Sequence, residues 1–269
     1  MIDLQLHAPD CGNKETLLTP EEVKRYNRHI LLPDIGAHGQ QKLKKARVLI
    51  IGMGGLGSPL ALYLSAAGIG TIGLADFDAV DESNLQRQVI HNTRNVGMLK
   101  VDSGMERIKD LNPFVNVITH NTQLSGQNAL DIIKDYDIVA DGTDNIQTRY
   151  IINDTCVISG KPYVYGTIFQ YKGQTSVFAV KDGPCYRCLY PSPPLPELVP
   201  DPGEAGVLGV LPGIIGTIQA AETIKIITGI AEPLVARLLL FDVLSMRFRE
   251  LQLKKDPSCK VCGRNPPSL

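Results

Sequence analysis

The sequence carries no excess of either charge. Across 269 residues, 27 Lys and Arg stand against 28 Asp and Glu, for a formal net charge of -1. A dedicated nucleic-acid binder would show a basic surplus, so that class is set aside and any phosphate site must be local. A long apolar run is also missing. One charge-free apolar stretch, Ala205 to Ala221, is broken by Gly206, Gly209, Pro212, Gly213 and Gly216. It is short for a membrane span and reads as a buried loop entering a core helix. Met1 to Leu17 lacks the basic start and apolar core of a signal peptide, so a cytoplasmic protein away from membranes is expected. No internal repeat is present. His7, His29, His38, His91 and His120 show no metal spacing and receive no role. Cysteine is scarce, six residues, but four of them fall in two CxxC pairs. Without an export signal, such pairs point to metal or redox chemistry more than to a disulfide frame.

The chain divides into an N-terminal extension, residues 1–17, and a single domain over residues 18–269. TPEEVKRYNRHILL predicts a helix with Thr19 as N-cap, Pro20 in the first turn, and Glu21 and Glu22 at its positive end. A polar helix, QQKLKKA, follows. Then β and α patterns alternate. RVLIIG, TIGLAD, NPFVNVITHN, DIVADG and KPYVYG read as strands. Between them, SPLALYLSAAG (ended by Gly68), GMLKVDSGMERIKDL, ALDIIKDY and NIQTRYIINDTCVISG (ended by Gly160) read as helices. This order predicts a parallel sheet covered on both faces. From Thr167 the pattern changes to period two around Lys172-Gly173, an antiparallel hairpin. Pro191, Pro193, Pro194, Pro196, Pro200 and Pro202 exclude helix and central strand, leaving a long crossing loop over Leu189 to Ala205. IIGTIQAAETIKIITG reads as an amphipathic helix. LVARLLLFDVLSMRFRELQL reads as two strands around Asp242-Val243-Leu244-Ser245. The expected fold class is α/β and Rossmann-like: N-terminal helices, then a largely parallel sheet continuing into antiparallel strands.

Three motifs carry phosphate chemistry. Gly52-Met53-Gly54-Gly55-Leu56-Gly57 follows a strand and opens a helix, with Asp76 at the end of the next strand. In that context Gly52, Gly54, Gly55 and Gly57 let a nucleotide approach the backbone, the helix N-terminus favours its phosphate, and Asp76 accepts ribose hydroxyls. Both dinucleotide and mononucleotide folds use this pattern. The stretch from Asp76 to Gln88, with Lys100 beyond it, mixes carboxylates and bases. It reads either as a solvated loop or as a triphosphate site in which Arg supplies forked donors, Lys a point charge and a carboxylate holds Mg²⁺. Asp141-Gly142-Thr143-Asp144-Asn145 ends the fourth strand, so it should converge with Gly52–Gly57 and Asp76 on one crevice. Thr143 or Asp144 is also a candidate cap for the following helix.

GMGGLG, DFDxVxxSNLQRQ, GMLK, DGTDN and the paired CxxC motifs together resemble the MoeB/ThiF/HesA family, bacterial relatives of the ubiquitin-activating enzymes. The resemblance runs from Thr19 to Gly263. It implies ATP-dependent adenylation of the C-terminal glycine of a ubiquitin-like sulfur carrier ending in Gly-Gly, with release of pyrophosphate. Gly54 resembles the residue that makes room for the nucleotide, and Asp76 the ribose-binding acid, with Asp78 beside it. Asn84, Arg87 and Lys100 resemble the triphosphate ligands. Asp144 resembles the Mg²⁺-binding acid, and Asn145 follows it in the nucleotide site. Arg28 resembles an arginine that reaches the ATP of the other subunit in a homodimer. The sequence ends at Leu269, soon after the second CxxC, so sulfur is expected from a separate donor protein, toward molybdopterin, thiamine or thiolated tRNA. Relatives with a covalent step use a cysteine in the crossing loop; Leu189 to Ala205 holds none, so the reaction is expected to stop at the acyl-adenylate. The rival reading is a NAD-dependent oxidoreductase using the same glycine loop; Arg87 and Lys100 argue against it.

Cys185-Tyr186-Arg187-Cys188 and Cys259-Lys260-Val261-Cys262 supply four thiolates in two knuckles, which fit a structural tetrahedral zinc. Gly183 and Gly263 suit tight metal turns. The redox alternative expects a CxxC opening a helix, which Pro184 and the prolines after Tyr190 do not favour. Cys156 reads as an inert core thiol, and Cys11 as incidental.

Overall fold

The computed structural model describes residues 17–180, 182–194 and 206–263. Cys11, the rest of the N-terminal extension before Leu17, and residues 195–205 of the crossing loop lie outside them. The N-terminal part holds α1 (Pro20–Arg25), α2 (Asn27–Ile30) and α3 (Gly36–Lys45). Thr19 caps α1 in a reciprocal box. Its hydroxyl accepts the Glu22 N–H at 3.2 Å, and the Glu22 carboxylate accepts the Thr19 N–H at 2.7 Å. The single helix expected from TPEEVKRYNRHILL is broken at Tyr26, where the backbone turns to φ -96° and ψ 12°. The reason is tertiary. The Tyr26 ring is buried beside Gly68, and its hydroxyl accepts an N–H from Asn112 at 2.8 Å. Gly68 ends the next long helix in the left-handed region (φ +86°), and a Cβ there would stand 2.5 Å from the phenol ring.

The α/β part runs β1 (Arg47–Ile51), α4 (Gly57–Ala67), β2 (Thr71–Ala75), α5 (Lys100–Leu111), β3 (Asn116–His120), α6 (Ala129–Ile133), β4 (Ile138–Asp141), α7 (Ile146–Ser159) and β5 (Tyr163–Phe169). It continues through β6 (Lys172–Phe178), α8 (Tyr186–Leu189), α9 (Leu211–Thr228), β7 (Arg237–Asp242) and β8 (Arg247–Gln252). All eight strands form one sheet in the order β3-β2-β1-β4-β5-β6-β7-β8. The first five are parallel to one another, and β5 through β8 are antiparallel. Apolar side chains fill both faces of the parallel half. Val48, Ile50, Ile72 and Leu74 belong to one core cluster, and Leu49, Ile51 and Val139 to the other. That two-sided burial is why β1 reads as an unbroken apolar run. Among the described residues, no helix is long and apolar enough to cross a membrane.

Two expected elements differ in detail. The hairpin turns at Gln170 and Tyr171, with Phe169 paired to Lys172, rather than at Lys172-Gly173. Gly173 lies inside β6 because α9 presses on it there; a Cβ would strike the Ile215 side chain. Its missing side chain serves packing, and the turn is left to Gln170 at φ +51°. The second difference is α9, expected to be amphipathic. It starts earlier, at Leu211, and only Ala221 along its length is exposed. It packs against β5 and β6 and against α3 and α4, which leaves only a half-buried strip toward solvent instead of a full polar face. Gly216 lets it cross the start of α4, where a Cβ would lie 2.6 Å from Pro59 and 2.7 Å from the Leu56 carbonyl.

These close approaches are testable. A Cβ on Gly57 would overlap the Gly52 carbonyl oxygen, which is backbone and has nowhere to go. Gly57→Ala is expected to cost about 3 kcal/mol or more in urea unfolding. Gly126 has open space around its Cα. Gly126→Ala is expected to stay within about 0.5 kcal/mol of the unmutated chain.

Candidate functional site

β1 lies between β2 and β4, so the strand order reverses direction beside it. At its carboxyl end Ile51 is in register with both Ala75 and Asp141. The three motifs therefore begin at one level, with Gly52, Asp76 and Gly142 side by side. The Gly52 N–H donates to the Ala75 carbonyl at 2.8 Å, and the Gly142 N–H to the Ile51 carbonyl at 2.7 Å. A switch point of this kind opens a crevice beyond the strand ends. Gly52 adopts φ +89°, and a Cβ on it would stand 2.8 Å from the Gly142 carbonyl. The loop is walled by two elements: Gly55 faces Pro212 of α9 and the Arg87 stem, and Gly54 faces the Gln88 amide. Among the described residues, the N–H groups of Gly54, Gly55 and Leu56 meet no acceptor. Unpaired donors at the start of α4 are what a phosphate oxygen needs.

Asp76 braces this loop from β2. One carboxylate oxygen accepts the Met53 N–H at 2.7 Å and the other the Asp78 N–H at 2.8 Å. Lys100, the first residue of α5, has a side chain only 8% exposed and places Nζ 2.9 Å from Asp78, whose side chain is 50% exposed. Arg87 is half-buried and donates to the Ser83 carbonyl at 3.3 Å. The two sequence readings of the Asp76–Gln88 stretch both have a share. Asp81, Glu82 and Ser83 are exposed, and Asp81 accepts the Ser83 N–H to cap a short turn at Glu82–Asn84. The Arg87 stem instead lies against Gly55, and the buried Lys100 side chain reaches out to pair with the exposed Asp78. Asn84 is half-buried, with its amide 3.4 Å from the Ser83 hydroxyl.

The loop after β4 is held from below. Asp141 is fully buried and accepts from Tyr163 Oη at 2.6 Å and from the Thr143 N–H at 2.8 Å, with Arg149 Nε at 3.6 Å. Burial pushes its carboxyl up to about 6, and the Arg149 guanidinium opposes that rise. Arg149, also buried, donates from Nη2 to the Thr143 carbonyl at 2.8 Å and so fixes the loop. The cap of α7 is neither Thr143 nor Asp144, the two candidates from sequence. Asn145 takes the role, accepting the Thr148 N–H at 2.9 Å, because the Thr143 hydroxyl accepts the Asn145 N–H and turns the chain there. The Asp144 carboxylate is left exposed and, among the described residues, without a hydrogen-bond or ion-pair partner.

Arg28 is not brought to this crevice. It is exposed on α2. Its neighbour His29 lines a groove with Tyr63, Ala66 and Ala67 in the far half of α4. Ala66 lies nine residues beyond Gly57, about 14 Å along the helix axis. The sequence reading also passed over Arg149 and His91. Both are buried polar residues whose only signal is tertiary: each bonds a backbone carbonyl of one of the motifs.

The four motif cysteines converge. Their Sγ atoms all lie within 4.8 Å of one another, with Cys185–Cys188 at 3.9 Å, Cys185–Cys259 at 3.6 Å and Cys188–Cys262 at 3.4 Å. Tetrahedral zinc with bonds of about 2.3 Å sets its sulfurs about 3.8 Å apart, so the set fits that ion. Cys185 does open a helix, the one-turn α8, against expectation, but the second pair completes a four-thiol cage around it. Gly263 is required by its knuckle, where a Cβ would strike the Cys259 carbonyl. The first knuckle docks on α7. Arg187 forms a bidentate pair with Asp154 (2.8 and 2.7 Å) and stacks 4.6 Å over Tyr150, while the Tyr186 N–H donates to Asn153 at 2.7 Å. Cys156 is wholly buried on the same helix, and burial pushes its thiol well up, as expected of an inert core group.

The sequence matches the model of the ThiF family over residues 26–261. The chain belongs to the ThiF family. It is 52% identical over 255 residues to a probable adenylyltransferase/sulfurtransferase MoeZ of Mycobacterium tuberculosis, covering 93% of this chain and 65% of that protein. An adenylyltransferase and sulfurtransferase MOCS3 of Culex quinquefasciatus is 51% identical over 93% of this chain and 58% of its own length. The chain thus spans less than two thirds of these relatives. A sulfur carrier protein adenylyltransferase of Thermus thermophilus matches nearly end to end, 47% identical over 92% of this chain and 93% of its own. Among solved structures, E. coli MccB with AMPCPP and MccA has a TM-score of 0.79 at 24% identity, over 89% of this chain and 74% of that one. PaaA has a TM-score of 0.77 at 27% identity, over 92% and 78%. The MccB likeness speaks for the fold alone.

For this ThiF-family chain, elemental analysis of freshly purified protein is expected to find one zinc per chain. Cys262→Ser should lose the metal and lower the melting temperature by about 10 °C, the equivalent of about 3 kcal/mol at this size.

Proposed function

We propose that this chain adenylates the C-terminal glycine of a ubiquitin-fold sulfur-carrier protein ending in Gly-Gly, using ATP and releasing pyrophosphate. One observation carries the reading: the glycine loop, Asp76 and the Asp144 loop meet at a single switch point, with free N–H donors and two cations beside it. The near end-to-end match to a sulfur carrier protein adenylyltransferase supports it.

Gly54 leaves open space for the phosphates, while Gly52, Gly55 and Gly57 allow the close packing that shapes the loop around them. Asp76 braces the loop, yet each carboxylate oxygen has a second lone pair for a ribose hydroxyl. Asn84, Arg87 and Lys100 bind the triphosphate, and Asp78 holds the Lys100 ammonium in place. The carrier's carboxylate is already anionic at neutral pH, so no protein base is needed. It attacks the α-phosphorus, the bond to pyrophosphate breaks, and the electron pair leaves on the pyrophosphate. Arg87 and Lys100 stabilise that charge as it forms. Asp144, exposed and without a partner among the described residues, would hold Mg²⁺, which neutralises phosphate charge when bound, with the Asn145 amide beside it. The four thiolates would hold Zn²⁺ with no open position, so that ion is structural.

Arg28 is exposed on α2 next to His29, which lies by the far half of α4 rather than by the glycine loop; this supports a homodimer in which Arg28 serves the partner's nucleotide. Cys156 is sealed in the core and residues 189–205 contain no cysteine, so the product stays an acyl-adenylate until a separate sulfur donor arrives. The cytoplasm is the compartment that keeps four such thiols reduced.

ATP–pyrophosphate exchange is expected only in the presence of a Gly-Gly carrier. Asp144→Ala should lower it by about 100-fold or more while the melting temperature holds. Exchange at the native rate in that variant would remove the assignment. Mixing Arg28→Ala with Asp144→Ala chains is expected to restore part of the activity, because one site of each mixed dimer is then intact. No recovery in proven mixed dimers would mean that Arg28 does not act across subunits.

A further inference from the structure

His91 lies beneath the glycine loop and is 6% exposed. Its Nε2 is 3.0 Å from the Met53 carbonyl oxygen, and its Nδ1 is 2.8 Å from Ser103 Oγ on α5. A carbonyl only accepts, so Nε2 carries the proton and the neutral ring's Nδ1 accepts the Ser103 hydroxyl. Burial pushes the imidazole pKa down, which keeps the ring in this form.

The consequence falls on the Met53–Gly54 peptide. In a trans peptide the C=O and the following N–H point in opposite directions. With the Met53 carbonyl drawn inward by His91, the Gly54 N–H is directed the other way, and among the described residues it meets no acceptor there. Glycine at position 54 imposes little backbone preference of its own, so without a tether this peptide plane is free to turn. Met53 is tethered from other sides too. Its N–H donates to Asp76, and its methyl end lies against Gly104, where a Cβ would come within 2.8 Å. The helix that carries Ser103 and Gly104 also carries Lys100, which bonds Asp78, whose N–H bonds Asp76. Met53, Asp76, Asp78, Lys100, Ser103 and His91 thus close a ring under the crevice.

We infer that His91 is a positioning residue for the nucleotide phosphates: through the Met53 carbonyl it sets the direction of the Gly54 N–H. The inference rests on the ATP reading above. It separates loop orientation from core packing, because it predicts a loss confined to ligands that bear phosphate.

The test measures MgATP and adenosine binding by calorimetry on the full chain, native and as His91→Ala, His91→Gln and His91→Asn. Hydrogen exchange of the peptide spanning residues 52–57 is followed without nucleotide. His91→Ala is expected to weaken MgATP at least about tenfold, the scale of one lost hydrogen bond, and adenosine by less than about threefold. Exchange in the loop should rise. A glutamine amide reaches the position of Nε2 and should restore both; asparagine reaches only toward Nδ1 and should restore neither. Native MgATP affinity in His91→Ala, equal losses for both ligands, or identical behaviour of the Gln and Asn variants would overturn the inference. If the native chain binds neither nucleotide, the ATP reading itself fails and the positioning role falls with it.

Discussion

The crevice depends on how closely two backbones approach at the carboxyl ends of β1 and β4. Gly52, Gly57 and Gly142 touch there without side chains between them, and a Cβ on Gly142 would stand 2.5 Å from the Gly52 carbonyl oxygen. That contact brings the loop after β4 up against the first turn of α4. It is the reason the N–H groups of the glycine loop and the carboxylate of Asp144, all without partners among the described residues, belong to one place. A methyl group at any of these positions would push the strands apart and separate the two halves of the site. Gly216 extends the same logic to α9, which crosses the start of α4 at backbone distance.

The polar groups beneath this contact are costly to bury and are matched accordingly. Asp141 and Arg149 share a dry layer with Tyr163, and Arg149 also bonds the Thr143 carbonyl. Removing one partner of such a pair strands the other in the core, which is strongly destabilising. The pair therefore holds the Thr143–Asn145 loop in one shape. Lys100 and Asp78 do the same work on the opposite wall, where one side chain is buried and the other reaches solvent.

α7 joins the two chemical centres. Its first residues follow the Asp144 loop, and its middle carries Asn153 and Asp154, which receive the first cysteine knuckle. Tyr150 lies between, under the Arg187 guanidinium, with its hydroxyl donating to the Tyr190 carbonyl at 3.0 Å. Motifs well separated in sequence thus meet one rigid rod, at its start and at its middle. A metal that fixes the knuckle also limits how α7 can tilt, and with it the loop that opens the helix.

Local patterns in the sequence sufficed for the parallel half of the fold. Two-sided burial leaves unbroken apolar strands, left-handed helix ends call for Gly68 and Gly160, and a capping box shows itself as Thr19 with Glu22. The glycine loop, Asp76 and the Asp141–Asn145 run were legible for the same reason, since each ends a recognisable strand and strand ends share a level. The CxxC spacing exposed the four thiols. Only the tertiary structure decided the rest, because the deciding partner is distant in sequence. Gly173 looks like a turn glycine until Ile215 of α9 presses on it. Tyr26 breaks a helix because Asn112 and Gly68 hold its ring. The α9 helix loses its expected polar face because elements pack on both of its sides. His91 carries no motif, and its tie to Met53 exists only once α5 folds against the loop. Short-range patterns report backbone conformation and burial; which buried polar group meets which carbonyl is set by long-range packing alone.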